Sequence, residues 1–184
     1  MNAHVTVVGS LNMDLVVRTP RIPQPGETII GGQFHTVPGG KGANQAVAAA
    51  RLGARVSMVG RVGSDAFADA LLDNLASDGV DRTYVIRDME AATGVALIAV
   101  DDAGQNSIVV ASGANARLSP GDVESAEVAV VDADVLLMQL ESPLDSVVRA
   151  AEIGHANGVL VVLNPAPARP VPAHLLSLVD VLIP

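Results

Sequence analysis

The sequence contains no cysteine and no tryptophan, and it has only two phenylalanines and one tyrosine. Without cysteine the chain can form neither a disulfide framework nor a reactive thiolate. With so few aromatic rings, a hydrophobic core must be filled mainly by Val, Ala, Leu and Ile. Positive charge is also scarce, because 11 Lys and Arg stand against 20 Asp and Glu, a net charge of −9. This balance argues against a nucleic-acid partner, which would require a basic surface.

Long hydrophobic runs are absent as well, and this bears on location. No apolar run is long enough to span a bilayer, and the first residues lead directly into a strand-like segment. We therefore predict neither a membrane span nor a signal peptide, and we expect a soluble, acidic, cytoplasmic protein. A chain of 184 residues is long enough for one domain with a substantial core.

Valine-rich runs alternate with helix-forming segments along the chain, which is typical of an α/β fold with a parallel sheet covered on both faces. The predicted core strands are residues 5–8, 56–60, 135–141, 160–164 and 179–183. We predict helices after Lys41, Ser64, Ser119 and Ser142, the three serines acting as N-caps, and helix ends at Gly53 and Gly79. The best prediction is a doubly wound, mostly parallel sheet.

Other segments look like shorter strands outside that sheet. Residues 15–17 and 27–32 flank a proline-rich link, and proline and glycine confine strands to sheet edges. Residues 93–100 and 107–110 flank the turn residues 101–106 and predict a β-hairpin. We expect these segments to form a small β-sheet beside the main one.

The stretch Pro38–Gln45 is the most informative part of the sequence. It places Gly39, Gly40, Lys41 and Gly42 where an extended segment gives way to an alanine-rich helix. Glycines allow close approach of a ligand, and a helix start offers unpaired N–H donors, so a sugar hydroxyl or a phosphate is the expected guest. The stretch fits neither G-x-x-x-x-G-K-[ST] nor G-x-G-x-x-G. The alternative interpretation is a glycine turn with close packing of the helix on a sheet.

Polar residues follow the predicted strands where their carboxyl ends should meet. Asn12 and Asp14 follow the first strand, Glu141 ends the third and Asn164 ends the fourth. In doubly wound sheets ligands bind at that edge, and carboxylates, amides and Lys41 together suit a polyhydroxylated ligand. Taken singly, each of these residues could equally cap a turn or a helix or face solvent.

Several motifs resemble the ribokinase family of carbohydrate and nucleoside kinases over the whole chain. They are Gly9–Asp14, Pro25–Thr28, Gly39–Ala46, Thr93–Ala96, Gly113–Asn115, Leu137–Glu141 and Asn164–Pro167. The resemblance implies a three-layer α/β/α fold with a small β-sheet lid, from about 15–34 and 93–111, that pairs with a second subunit as a homodimer. It implies phosphorylation of D-ribose or a similar sugar by ATP, with Mg²⁺ and, as a further option, K⁺. The substrate-binding residues it implies are Asn12, Met13, Asp14, Gly40, Lys41, Gly42, Ala43, Asn44 and Glu141.

The family's nucleotide-binding and catalytic motifs, Asn-x-x-Glu and Gly-Ala-Gly-Asp, have no counterpart in these residues. The resemblance therefore implies that the catalytic base lies beyond Pro184. We expect residues 1–184 to be the N-terminal, sugar-binding part of such a kinase, without the nucleotide-binding half and inactive alone. Three hypotheses stay open: a kinase for ribose or for another sugar or nucleoside, a non-catalytic sugar-binding module, and a structural fragment that pairs through its lid.

Overall fold

The computed structural model describes residues 2–184, which form two β-sheets with helices packed around the larger one. In chain order the strands are β1 His4–Val8, β2 Asn12–Arg18, β3 Phe34–Gly39, β4 Arg55–Val62, β5 Asp81–Arg87, β6 Gly94–Val100, β7 Asn106–Ala111, β8 Val135–Met138, β9 Leu160–Leu163 and β10 Val181–Leu182. The helices are α1 Lys41–Arg51, α2 Ala66–Ser77, α3 Pro120–Ser125, α4 Glu127–Val131, α5 Leu144–Ala156 and α6 Ala173–Ser177, with a short 3₁₀ helix at Gly113–Arg117.

The larger sheet confirms the predicted three-layer α/β/α fold. Its strands lie in the order β10-β9-β8-β1-β4-β5, and every adjacent pair is parallel. Val7 and Val8 of β1 are both fully buried but belong to separate hydrophobic clusters. Because successive side chains of a strand point to opposite faces, helices must cover both sides of this sheet.

The smaller sheet has the order β3-β2-β6-β7, in which β2 and β6 are parallel and the outer pairs are antiparallel. The predicted hairpin is confirmed as β6 and β7. The predicted strand at 27–32 is wrong, because no strand lies between Arg18 and Phe34. The Gly32 amide instead donates to the Arg18 carbonyl over 2.7 Å, so the glycine-rich segment folds back on the end of β2.

The predicted helix ends are confirmed more often than the starts. Gly53 and Gly79 follow α1 and α2 with φ of 94° and 74°, and Ser119 forms a full capping box with Asp122 at α3. The Ser64 prediction is wrong, since Asp65 caps α2 by accepting from the Ala68 amide. The Ser142 prediction is wrong too, because the N-cap of α5 is a proline without a side-chain bond.

The strand β5 was not predicted, although Tyr84, Val85 and Ile86 form the β-branched and aromatic run that strands favour. It pairs with β4 at one edge of the larger sheet. Within residues 2–184, no helix is both long and apolar enough to cross a membrane.

Arg61 at the end of β4 connects three segments through carboxylates. Its guanidinium donates to Asp88 over 2.7 Å and to Asp122 over 2.8 and 3.0 Å. The side chains of Arg61, Asp88 and Asp122 are 19%, 3% and 11% exposed. The Glu90 amide and Arg61 hold the pKa of Asp88 below its usual value. Burial works to raise the pKa of Asp122, but bonds from Arg61 and Ser119 outweigh it and the pKa is lowered.

We predict that Arg61→Met lowers the thermal midpoint of unfolding by roughly 5 °C or more at pH 7, because Asp122 loses its cationic partner and Asp88 keeps only Arg117, at 3.2 Å. Both carboxyls have lowered pKa values, so this stabilisation exists above the unfolded-state value of 3.8 and disappears as pH falls below it. Thermal melts from pH 3 to 7 measure the effect. Arg82→Met, whose ion pair with Asp73 is long and exposed, is the matched control; an equal loss in both variants would contradict the prediction.

Candidate functional site

A cavity of about 600 Å³ lies between the smaller sheet and the carboxyl ends of the central strands. The smaller sheet provides an apolar wall together with Asn12 and Asp14 of β2, and the rest of the lining includes Lys41, Glu141 and Arg169. The lining residues are Asn12, Asp14, Gly40, Lys41, Asn44, Ala96, Ile98, Ile108, Val110, Ser112, Asn115, Ala116, Leu140, Glu141, Ser142, Pro143, Pro167 and Arg169.

Asn12 and Asp14 reach the cavity from the first residues of β2. Both line the cavity because alternate residues of a strand share a face. Met13, between them, points the other way and is 3% exposed within a hydrophobic cluster. The structure thus brings Asn12 and Asp14 to the site and places Met13 in the core.

The start of α1 is capped by a distant carboxylate. Glu141 Oε2 accepts from the Lys41 amide over 3.1 Å and from Ser10 Oγ over 2.5 Å. The N-cap residue, Gly40, has no side chain for this role and adopts φ 90°, a conformation that favours glycine. A carboxylate at this position also interacts favourably with the positive end of the helix dipole.

The next amides of α1 are also occupied by the protein. The Gly42 amide donates to Ser10 Oγ over 3.4 Å, and the Ala43 amide donates to the Ser10 carbonyl over 2.9 Å. The expectation that this helix start offers unpaired N–H donors to a ligand is therefore wrong.

Gly42 and Ala43 are buried and do not line the cavity. A Cβ on Gly42 would lie 2.6 Å from the Ser10 nitrogen, so glycine is needed here for the helix to approach the loop after β1. Here the packing interpretation of the glycine stretch applies. Gly40, Lys41 and Asn44 do line the cavity.

Two carboxylates of like charge face the cavity. Burial and the nearby charge of Glu141 raise the pKa of Asp14 above its usual value. Lys41 Nζ lies 3.8 Å from Glu141 Oε1, at the outer limit of an ion pair. Asp14 and Glu141 can accept hydrogen bonds from hydroxyl groups, while Lys41 and the side-chain amides can donate.

Asn164 does not join these residues. It follows β9 as predicted, but its Nδ2 donates to the Ile183 carbonyl over 2.9 Å, so it ties the end of β10 to β9. Sequence reasoning also missed Asn115 and Arg169, which line the cavity. For Asn115 a signal existed, since Gly113–Asn115 is one of the motifs that carry the family resemblance.

A metal site does not fit the residues present. Within residues 2–184, no group of three or more His, Asp or Glu side chains is placed to hold a metal ion.

A family model described as pfkB family carbohydrate kinase matches residues 2–184. The chain belongs to the pfkB family of carbohydrate kinases. Among curated pfkB relatives, ribokinases from Haemophilus influenzae and Staphylococcus aureus are 47% and 42% identical over the whole chain. The chain spans 60% and 61% of their lengths. The solved structure of Arabidopsis thaliana ribokinase complexed with ribose and ATP superposes with a TM-score of 0.87 at 35% identity, covering 99% of this chain and 60% of that one.

We predict that Asp14→Asn stabilises the ligand-free protein at pH 7, because it removes a carboxylate whose pKa is raised by burial and by Glu141. An acid with a raised folded-state pKa destabilises the fold when ionised, so the gain is complete above that pKa and disappears as pH falls towards 3.8. Chemical denaturation at pH 4 and pH 7 measures it. Exposed Asp102→Asn is the matched control, and a loss of stability in Asp14→Asn at pH 7 would overturn the prediction.

Proposed function

We propose that this protein is a ribokinase, which transfers a phosphoryl group from ATP to the 5-hydroxyl of D-ribose, and that this chain provides the sugar site. The observation that carries the proposal is the facing pair Asp14 and Glu141, with Asn12, Lys41 and Asn44 beside it in one cavity. Carboxylates accept from hydroxyl groups and the other three side chains donate, which is the recognition that a pentose requires. The ribokinase relatives support the same conclusion.

The residues of this chain bind and orient the sugar. The apolar wall formed by Ala96, Ile98, Ile108 and Val110 would cover it, and closing such a lid excludes water from a phosphoryl transfer. Positioning and charge stabilisation provide most of the catalysis in this reaction class.

We do not identify the catalytic base among residues 2–184. We propose that it lies in sequence beyond Pro184. The ribokinase relatives support this place, since this chain spans only 60% and 61% of the lengths of two of them. Mg²⁺ is proposed only as the usual companion of ATP, and K⁺ only as an activator to test.

Other functions would give different results with the same protein. A kinase for another sugar or a nucleoside would bind fructose, 2-deoxyribose or adenosine in preference to ribose. A non-catalytic module would bind ribose without forming ribose 5-phosphate, and a structural fragment would bind none of them.

The cytoplasm, where ATP and free pentoses meet, is the proposed location.

We predict that the protein binds D-ribose and that Asp14→Asn weakens binding by about tenfold or more, since hydrogen bonds to charged groups contribute roughly 1.5–3 kcal/mol. Titration calorimetry with D-ribose, 2-deoxyribose, fructose and adenosine measures binding and preference, and a coupled ATP assay measures turnover. Asp102→Asn, exposed in the turn between β6 and β7, should bind as the wild type does. Absence of ribose binding in the wild type would refute the proposal.

The smaller sheet is also proposed as the contact of a homodimer. Leu97 and Val109 pair across β6 and β7, do not line the cavity and are 52% and 62% exposed. An exposed apolar patch of this kind is typical of a protein interface.

We predict that Val109→Asp converts a dimer to monomers, because it places a charge in an apolar contact. Light scattering coupled to size exclusion measures the mass. Val128→Asp, on an equally exposed apolar residue of α4, is the control and should leave the mass unchanged. A monomeric wild type would exclude this assembly.

A further inference from the structure

Asn115 joins the backbone before β2 to the first residue of that strand. Its Oδ1 accepts from the Leu11 amide over 2.9 Å, and its Nδ2 donates to the Leu11 carbonyl over 2.9 Å. A backbone amide can only donate and a carbonyl can only accept, so these two bonds fix which end of the Asn115 side chain is oxygen and which is nitrogen.

The second proton of Asn115 Nδ2 determines the orientation of Asn12. That nitrogen also donates to Asn12 Oδ1 over 2.8 Å. Because a donor already faces it, Asn12 must present its oxygen to Asn115 and leave its own Nδ2 for the cavity that it lines. Within residues 2–184, Asn12 Nδ2 has no acceptor in the protein, and the side chain is bonded only through its Oδ1.

The surroundings of this bond are closely packed. Asn115 is 2% and Asn12 3% exposed, so solvent cannot easily replace a lost partner. A Cβ on Gly94 would clash with both Asn12 Oδ1 and Asn115 Nδ2, and glycine at this position keeps the space that the bond occupies. Asn12, Gly94 and Asn115 lie in three separate segments, so the bond depends on tertiary packing and not on local turn geometry.

We propose that Asn115 is a positioning residue for substrate binding: it orients the Asn12 amide so that Asn12 acts as a donor towards a sugar hydroxyl oxygen. A hydroxyl in this cavity would then accept from Asn12 while donating to Asp14 or Glu141, so both hydrogen-bonding functions of that hydroxyl are used. The site would select for hydroxyl groups over substituents that can only donate or only accept. This inference rests on the proposed sugar-binding function, which it extends by naming the origin of the donor.

The first test is Asn12→Asp. An aspartate keeps an oxygen to accept from Asn115 but presents an acceptor where the amide presented a donor, and because it adds a poorly exposed charge beside Asp14 and Glu141 we expect lower thermal stability, so binding is measured well below the unfolding temperature. We expect D-ribose affinity to fall by about three- to tenfold, the range for one lost neutral hydrogen bond, and at least as far as in Asn12→Ala. Unchanged affinity in Asn12→Asp would overturn the proposal.

The second test is a double-mutant cycle of Asn115→Ala with Asn12→Ala, measured by calorimetry well below the unfolding temperature. If Asn115 acts through Asn12, Asn115→Ala should weaken ribose binding in the wild-type background and have little further effect in the Asn12→Ala background. A purely structural role would lower affinity equally in both backgrounds, and that result would overturn the proposal.

A third measurement separates this inference from the proposed function, because it requires no sugar. In side-chain amide hydrogen exchange by NMR on the sugar-free protein, we expect the Asn115 protons to be protected and the Asn12 protons to exchange faster. Protected Asn115 protons in a protein that binds no ribose would refute the sugar specificity but keep the orienting bond. Rapidly exchanging Asn115 protons would refute the orienting bond itself, whatever the protein binds.

Discussion

The carboxylate of Glu141 at the start of α1 is the interaction on which the rest of the site depends. It joins the segment after β8, the loop after β1 and the first turn of α1, and its partners Ser10 and Lys41 are separated from it by 131 and 100 residues. Helix starts usually find their caps a few residues away. Here the sequence at that place is glycine, so the cap must come from the tertiary fold, and the site can form only when the three segments have packed together.

One consequence is that two negative charges, those of Asp14 and Glu141, lie together at the cavity, where they add little to the stability of the fold. Glu141 has amide and hydroxyl donors, whereas Asp14 lies beside it with a raised pKa. A protein under selection for stability alone would not hold two carboxylates together in a half-buried cavity, since each desolvated charge without a partner has a cost. A ligand that donates hydroxyl protons would relieve that cost on binding.

Much of the fold and part of the site could be predicted from the sequence. Valine-rich runs, the capping box at Ser119 and the glycines after α1 and α2 are local signals, and local physics decides them. The start of α2 was predicted one residue early because Asp65 gains further bonds from Thr93, which no local pattern shows. Other features depend on residues far apart in sequence. They are the cap from Glu141, the bond of Asn164 to Ile183 after β10, and the contact of Asn115 with Asn12. The strand β3 at Phe34–Gly39 was missed for the same reason: it is fixed by its pairing with β2, which the local sequence does not show.

The parallel pairing of β2 with β6 joins the two halves of the smaller sheet along seven residue positions, from Asn12 with Gly94 to Arg18 with Val100. Without this ladder, the β2–β3 and β6–β7 pairs would be two independent flaps, each free to open by itself. With it, they form a single plate that enters and leaves the larger domain at residues lying side by side, Gly39, Asn12 and Gly94. Neither half of the apolar wall can therefore lift away from the cavity alone without breaking the β2–β6 ladder.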